Sequence, residues 1–524
     1  MALIKIVTDE QILQQEWKTS GTIADVLHEC KTEFSMPCGG NHTCGKCKVK
    51  ATGCLSPMSK EEQKLLTPEE ITEQIRLACF AKIEGDAVIT ILSRKAENIL
   101  TAGKMEAFSL EPITGEIPGG YGIAVDIGTT TVVSYLYPLN TTKPVQIVSR
   151  HNQQSKYGAD VISRIEYSNQ NGVLPLQQTI VSQLNQSFAE LCQKQNISLD
   201  AVKGCVITGN TTMLHLLCGL DPRGIAVAPF TPQSLFGEMF SPKQIGLSLP
   251  EDCLLYLPRS ISSYVGADIT CAILASGMTE QPGNSFIVDI GTNGEMALMA
   301  NGKLKCCSTA AGPAFEGAGI RMGMSAHNGA INRVWLENGK IAYSVIGNEK
   351  AVGICGSAII DAVAVFRRCG LIDETGLIDQ DSENGAQYPA EDDEPALKIG
   401  DSGVVLTQSD IRKIQLAKSA VCAGIDTLIH ECGITAEQID TFYIAGGFGS
   451  FIDKNSAATI GLIPREVVDR VTVIGNGAGS GATMILLSSS KKQQSESIAA
   501  SAEDVELSSN AYFMDRYIDR MMFE

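Results

Sequence analysis

The chain has 524 residues, 44% of them hydrophobic and 6% aromatic, enough apolar material for two or more ordinary cores. Its formal net charge of −18 excludes a general nucleic-acid binder, because a phosphate backbone has to be met by excess Lys and Arg. The start, Met1-Ala-Leu-Ile-Lys-Ile-Val, is too short and strand-like for a signal peptide, and no run of ~18 apolar residues offers a bilayer span. A cytoplasmic protein without a membrane partner is expected, in which 17 cysteines mean thiolate chemistry or plain burial rather than a disulfide framework.

Residues 1–94 form a first unit, near neutral in charge, with strands predicted over 3–7 and 88–92 and a helix over 22–29. Its cysteines are grouped as Cys38-x5-Cys44-x2-Cys47, with Cys79 far downstream. Three thiolates on one tight loop and a fourth from elsewhere suit a 2Fe-2S cluster, and the x5 spacing is similar to the adrenodoxin-like branch of the ferredoxins. A zinc site or buried thiols is the alternative. Gly39, Gly40 and Gly45 leave room for a cluster and let loop amides reach its sulfurs. Ferredoxins of this kind commonly carry glycine where His42 stands here. Cys30 and Cys54 read as packing residues. Lys46, Lys48 and Lys50 alternate as a solvated basic face, or as a dock for an acidic electron donor.

Residues 95–120 are dense in Pro and Gly and read as a linker that lets the first unit move. Beyond them, Gly122-Ile-Ala-Val-Asp126-Ile-Gly128-Thr129-Thr130-Thr131 predicts a buried strand, a sharp turn and a second strand over 132–137. Such a turn points amides at an anion, and its carboxylate can hold the water shell of Mg²⁺. Alone, this is more often an Asp-Gly turn in an ordinary hairpin. A strand over 202–207 ends in Thr208-Gly209-Asn210-Thr211-Thr212 before a helix over 213–218; Asn210 either lines a ligand edge or caps the helix. His215 reads as a core residue. Segments 152–167 and 229–250 carry no decodable pattern.

The hairpin pattern returns in Phe286-Ile-Val-Asp289-Ile-Gly291-Thr292-Asn293-Gly294-Glu295, before a strand over 296–299. Two copies imply a duplicated domain whose halves, 121–283 and 284–488, face one nucleotide. Glu316, in the small-residue stretch 310–319, is a contact across the cleft or an exposed acid on a tight turn, the latter favoured. Cys306 and Cys307 point to opposite faces of a strand, a poor geometry for one metal. The acidic 373–401 reads as a surface insertion, and Thr407 as the cap of a long helix through 429. Residues 488–509 are polar and read as flexible, while Tyr512, Phe513, Tyr517, Ile518, Met521, Met522 and Phe523 recur at the spacing of a docking helix at the end of the 489–524 segment.

Both hairpins resemble the phosphate-1 and phosphate-2 motifs of the acetate and sugar kinase, heat-shock ATPase and actin superfamily (ASKHA). Thr441-Phe-Tyr-Ile-Ala-Gly446-Gly447-Phe448-Gly449-Ser450 is similar to its adenosine motif, and 474–487 resembles its last connecting helix. The expected fold class is therefore α/β with an α+β N-terminal domain: a β-grasp ferredoxin domain before a duplicated RNase H-like nucleotide-binding domain. The resemblance assigns ATP to Gly128, Thr129, Thr130, Thr131, Gly291, Thr292, Asn293, Gly294, Glu295, Gly446, Gly447 and Phe448, to which the strand-to-helix edge adds Asn210, with Mg²⁺ or the hydrolytic water at Asp126 and Asp289. The order of the parts looks like the reductive activators of corrinoid proteins. That implies an enzyme that uses ATP to move an electron from a 2Fe-2S cluster held by Cys38, Cys44, Cys47 and Cys79 onto cob(II)alamin, giving the cob(I)alamin that methyl transfer needs. Its partners are a corrinoid iron-sulfur protein or methyltransferase corrinoid subunit and an external electron donor, with room for a homodimer. A sugar or acid kinase with a redox regulatory domain, or a nucleotide-gated binder with a structural cluster, are the alternatives.

Overall fold

Alternating apolar residues begin the fold: Ala2, Ile4 and Ile6 are buried while Leu3 is exposed, the period of a half-buried strand. The first unit runs β1 (Ala2–Val7), β2 (Ile12–Trp17), α1 (Ile23–Glu29), β3 (Lys48–Leu55), α2 (Lys60–Lys64), α3 (Pro68–Thr72), β4 (Ile75–Leu77) and β5 (Ile83–Ile91). Its sheet order is β2-β1-β5-β3-β4, with β1 parallel to β5 and antiparallel to β2. Helix α1 starts on a reciprocal cap, Thr22 accepting from the Asp25 amide and Asp25 from that of Thr22, and buries Ile23, Val26 and Leu27. A mixed sheet crossed by one helix is the β-grasp arrangement. The computed structural model describes residues 2–8, 12–17, 21–30, 32, 34, 36, 40, 42, 45–66, 68–91, 103–388, 394–447 and 449–523; Cys38, Gly39, Cys44 and Phe448 lie outside them.

The first half contains β6 (Tyr121–Ile127), β7 (Thr131–Pro138), β8 (Gln146–His151), α4 (Val161–Asn171), α5 (Leu174–Lys194), β9 (Val202–Gly209), α6 (Thr211–Cys218), α7 (Arg223–Ala226), β10 (Glu238–Phe240), α8 (Pro242–Ile245), β11 (Leu254–Leu257) and α9 (Ala267–Ser276). Its sheet order is β10-β11-β9-β6-β7-β8. The second half brings β12 (Ser285–Ile290), β13 (Gly294–Ala300), β14 (Lys303–Thr309), β15 (Ala330–Glu337), β16 (Lys340–Val345), β17 (Gly353–Ile354), α10 (Gly356–Arg368), β18 (Gly385–Tyr388), β19 (Glu394–Lys398), β20 (Val405–Thr407), α11 (Gln408–Glu431), β21 (Thr441–Ala445), α12 (Lys454–Thr459), β22 (Val471–Gly475), α13 (Gly477–Leu487), α14 (Ser489–Ser501), β23 (Glu503–Asp504) and α15 (Ala511–Asp519). Its main sheet, β22-β21-β12-β13-β14-β23, repeats the first: an antiparallel hairpin, β6–β7 or β12–β13, beside parallel strands β9 and β11 or β21 and β22. The duplication legible in the two Asp-x-Gly turns is thus a duplication of topology.

Helices α9 and α13 lie between the two sheets, in a core that takes Ala124 and Val206 from one half and Ile287 and Ala297 from the other. The approach is as close as backbone allows: a Cβ on Gly481 would sit 2.1 Å from the Cys271 carbonyl oxygen. Cys306 faces this shared core and Cys307 the outer core of the second half, the opposite-face geometry expected of strand neighbours.

Three segments differ from expectation. Residues 103–120 are not a free linker. Their amides at Lys104, Glu106, Glu111 and Ile113 donate to the carbonyls of Ile474, Ala275, Leu487 and Leu486, and Met105, Phe108, Ile113 and Ile117 pack on the shared core. Within 373–401, β18 and β19 pair and are joined by β20 from beyond it in a small sheet, and Leu397 and Ile399 are buried, so the acidic stretch carries apolar anchors. Ser489–Ser501, expected to be flexible, is helix α14, buried along Lys491, Ser495, Ile498 and Ala499. That stripe is half polar, and its lysine is neutralised by Glu280 at 2.8 Å, so hydropathy alone does not reveal it. The tail docks on its own half as the aromatic spacing implies: Phe523 is buried in the second-half core, and the Lys418 ammonium donates to the Met522 carbonyl at 2.6 Å. Thr407 caps α11 through a reciprocal box with Asp410.

Candidate functional site

The two hairpin turns, β6–β7 and β12–β13, face each other across a cavity of about 790 Å³ between the halves. Asp126, Gly128, Thr129, Thr130, Thr131, Asn210, Asp289, Gly291, Thr292, Asn293, Glu295, Gly446 and Gly447 all line it. Gly294 does not; it turns toward Thr309 and Val421 in the core. Each turn closes on itself, Gly128 N–H donating to Thr131 O and Gly291 N–H to Asn293 O, both at 2.9 Å. Gly446 has φ +92°, and a Cβ there would fall 2.5 Å from Asp289 Oδ1. Glycine is what lets the adenosine loop abut the second hairpin.

Asn210 does both things expected of it. Its Oδ1 caps α6 by accepting from Met213 N–H at 2.9 Å, while its Nδ2 donates to Thr129 Oγ1 at 3.2 Å. His215 is a buried core residue, its Nδ1 at 2.7 Å from Thr211 O and its Nε2 accepting the Gln233 amide.

Glu316 corrects the favoured reading of an exposed acid. Its carboxylate accepts from Thr130 Oγ1 of the first hairpin and Thr292 Oγ1 of the second, each at 2.9 Å, which places it across the cleft. A turn motif cannot announce partners so far away in sequence.

Sequence reasoning also missed Asp268, Asn476, Asn152 and Arg164. Asp268, in the first turn of α9, lines the cavity; the Gly266-Ala267-Asp268 step into a helix was its only signal. Asn476 caps α13 and donates from Nδ2 to Asp126 Oδ2 at 3.0 Å. Behind the first hairpin, Asn152 donates to Gly128 O at 2.8 Å and the fully buried Arg164 to Thr129 O at 2.6 Å. Burial lowers Arg164 only to about 10, so a cation backs the turn at neutral pH.

The acids crowd one another. Burial, then Asp268, pushes Asp126 up to about 7, against the bond from Asn476. Burial and then Asp268, Asp126 and Glu316 push Asp289 up to about 8. Asp268 rises to about 6 by burial, and burial raises Glu295 and Glu316 as well. The carboxylates of Asp126, Asp268 and Asp289 on one cavity are hard oxygen donors that suit a hydrated Mg²⁺, although among the described residues no three such groups form a direct metal site.

In the first unit, Cys47 and Cys79 are buried with their sulfurs 3.2 Å apart, near enough to reach one iron; Cys38 and Cys44 lie outside the described residues. The donor chemistry fits a 2Fe-2S cluster. His42 takes φ +62°, sets Nε2 3.0 Å from Cys79 O and stacks on Phe80. It thereby ties the cluster loop to the remote ligand. Cys30 is half-buried against the unit's core, but Cys54 is exposed, not packed; a register shift in β3 between Gly53 and Leu55 turns it outward. The three lysines do not share one free face either: Lys46 donates to the carbonyls of Ile320 and Gly323 in the second half, and Lys48 pairs with Glu70 at 2.6 Å.

Fold and site together define a thiolate-bearing ferredoxin unit joined to a two-lobed nucleotide-binding domain of the ASKHA type. Three family models match in that order: a 2Fe-2S iron-sulfur cluster binding domain over 7–84, the RACo middle region over 121–281, and the C-terminal ASKHA domain of RACo over 283–524. The chain belongs to the family of reductive activators of corrinoid proteins. It is 36% identical over 421 residues to the corrinoid activation enzyme RamQ of Eubacterium limosum, covering 77% of this chain and 70% of that one. It is 27% identical to a [Co(II) methylated amine-specific corrinoid protein] reductase of Methanosarcina barkeri, covering 71% of each. A solved reductive activator for corrinoid, iron-sulfur protein superposes with a TM-score of 0.70 at 28% identity, over 99% of this chain and 98% of that one. Among the described residues no helix is long and apolar enough to cross a membrane.

Proposed function

We propose that this protein is an ATP-dependent reductive activator that returns a corrinoid partner from cob(II)alamin to cob(I)alamin, the corrin cobalt gaining one electron while ATP is hydrolysed to ADP and phosphate. The carrying observation is two phosphate hairpins and an acid cluster on one cavity, in a chain that also holds a buried thiolate pair. The cluster, when bound, supplies a one-electron carrier at Cys38, Cys44, Cys47 and Cys79. Asp126 and Asp289 would hold Mg²⁺ through water, and the ion would supply positive charge to balance the phosphates.

The residues divide the work. Turn amides at 129–130 and 292–293, with Arg164 behind the first turn, receive the phosphates. Gly446 and Gly447 leave room for the nucleoside. Asp126 or Asp289 orients the hydrolytic water. Cob(I)alamin is a strong reductant, so the transfer is uphill, and each ~59 mV of gap is a factor of ten in a one-electron equilibrium. Nucleotide binding supplies that push only by favouring one state of the partner complex over another.

The partner is a corrinoid iron-sulfur protein or a methyltransferase corrinoid subunit, and the cluster is refilled by an external reductant. The test follows the corrin spectrum with each component omitted in turn. Cob(I) should appear only with reduced cluster, Mg-ATP and partner together. Equal reduction without nucleotide leaves an ordinary ferredoxin, and γ-phosphoryl transfer to a sugar or carboxylic acid makes the protein a kinase.

A further inference from the structure

The strap that leads from the cluster unit is fastened beside the carboxylate that the phosphates approach. Gly103 forms an isolated bridge with Gly475, and Lys104 N–H donates to Ile474 O at 2.9 Å. A Cβ on Gly103 would lie 2.0 Å from Ser480 Oγ and 2.5 Å from the backbone oxygen of Asn476. No other residue fits between the strap and the turn that opens α13. Glu106 N–H then donates to Ala275 O at the end of α9 at 3.1 Å, and Ile113 N–H to Leu486 O at the end of α13 at 3.1 Å. The strap is therefore pinned to both of the helices on which the halves meet.

Asn476 touches the strap with its backbone and the site with its side chain. Nδ2 donates to Asp126 Oδ2 at 3.0 Å and to the Tyr135 hydroxyl oxygen at 3.1 Å, while Oδ1 accepts from Gly479 N–H at 2.7 Å. Asp126 and Tyr135 belong to the first half and Asn476 to the second, so these bonds cross between the halves. Every polar atom of the side chain is engaged and the residue is buried. It has little freedom to absorb a movement of Asp126 without passing it to its own main chain.

We propose that Asn476 is a positioning residue for ATP hydrolysis, and that the strap at 103–106 takes its position from it. Nucleotide-free and nucleotide-bound clefts then set two different exits for the chain leading to the cluster unit. A shared backbone contact is a physical link of the kind that coupling between sites requires. The inference rests on the ATP-driven reading above.

Hydrogen exchange on the full, cluster-bearing chain tests it, with and without a non-hydrolysable Mg-ATP analogue. The amides of Lys104 and Glu106 should change exchange rate about fivefold or more on binding. In Asn476→Ala the analogue should still bind and KM for ATP should stay within about threefold, while kcat falls about tenfold and the exchange response disappears. Should Asn476→Ala not fold, Gly103→Ala takes its place. It touches no nucleotide, yet it should lower kcat about tenfold with KM little changed. Unaltered exchange at 104 and 106 in the wild type, a retained response in Asn476→Ala, or wild-type kcat in Gly103→Ala overturns the proposal while leaving the ATP reading intact. A wild-type chain that does not bind the analogue overturns both.

Discussion

Thr130 Oγ1 donates to Glu316 Oε2 at 2.9 Å, so a hydroxyl on the phosphate hairpin of one half is held by a carboxylate from the other. Thr292 donates to the second oxygen of the same carboxylate, and the two hydroxyls stand 3.3 Å apart. Glu316 thus ties the two hairpin turns together across the cavity. Glu316→Ala should therefore lower ATP turnover by on the order of 10²-fold, the scale of losing one positioned carboxylate. Single-turnover hydrolysis of Mg-ATP measures it, and a wild-type rate would remove Glu316 from the site.

Asp289 is held up at about 8, first by burial and then by Asp268, Asp126 and Glu316. The unfolded chain gives up that proton near ~3.9. Between these values the native state binds more protons than the unfolded one, so stability falls as pH rises from about 4 through about 8. Asp289→Asn removes the titration. It should match the wild type in stability near pH 4, exceed it by several kcal/mol at pH 8, at ~1.4 kcal/mol per pH unit, and fail to hydrolyse ATP. Calorimetry at the two pH values decides; equal stability at both would place Asp289 outside the acid cluster.

Cys47 and Cys79, 32 residues apart in the chain, bring their sulfurs to 3.2 Å. Cys79→Ala should lose or visibly alter the 2Fe-2S spectrum and the electron paramagnetic resonance of the reduced protein. ATP hydrolysis without partner should persist, because among the described residues the cavity takes none from this unit. Iron and sulfide analysis that finds a full, spectrally unchanged cluster would dismiss Cys79 as a ligand.

Gly481 of α13 meets the Cys271 carbonyl of α9 with no room for a methyl group. Gly481→Ala should cost about 1–3 kcal/mol, the usual range for overpacking a tight core, and should slow hydrolysis by parting the halves. Denaturant melts and ATPase rates report both. An unchanged midpoint would mean that the two helices yield without cost.

What the sequence determined by itself was whatever is encoded over a few neighbouring residues. The runs before Asp126 and Asp289 are apolar because those strands are buried on both faces. Small residues follow because the turns close within four positions, as the Gly128–Thr131 and Gly291–Asn293 bonds show. The cysteine spacing is equally local, since three thiolates must come from one loop. Tertiary structure decided what depends on distant partners. Asp268 sits on an unremarkable helix start, and Arg164 and Asn152 lie in a stretch without periodicity, yet both of the latter end behind the first hairpin. Glu316 looked like a surface acid until two threonines from opposite halves met it. The Pro- and Gly-rich strap looked free because its apolar anchors, Met105, Phe108, Ile113 and Ile117, are scattered without period and its other anchors are backbone amides, to which side-chain composition is blind. Helix α14 looked flexible because part of what it buries is a lysine, whose charge is tolerable only where Glu280 waits for it.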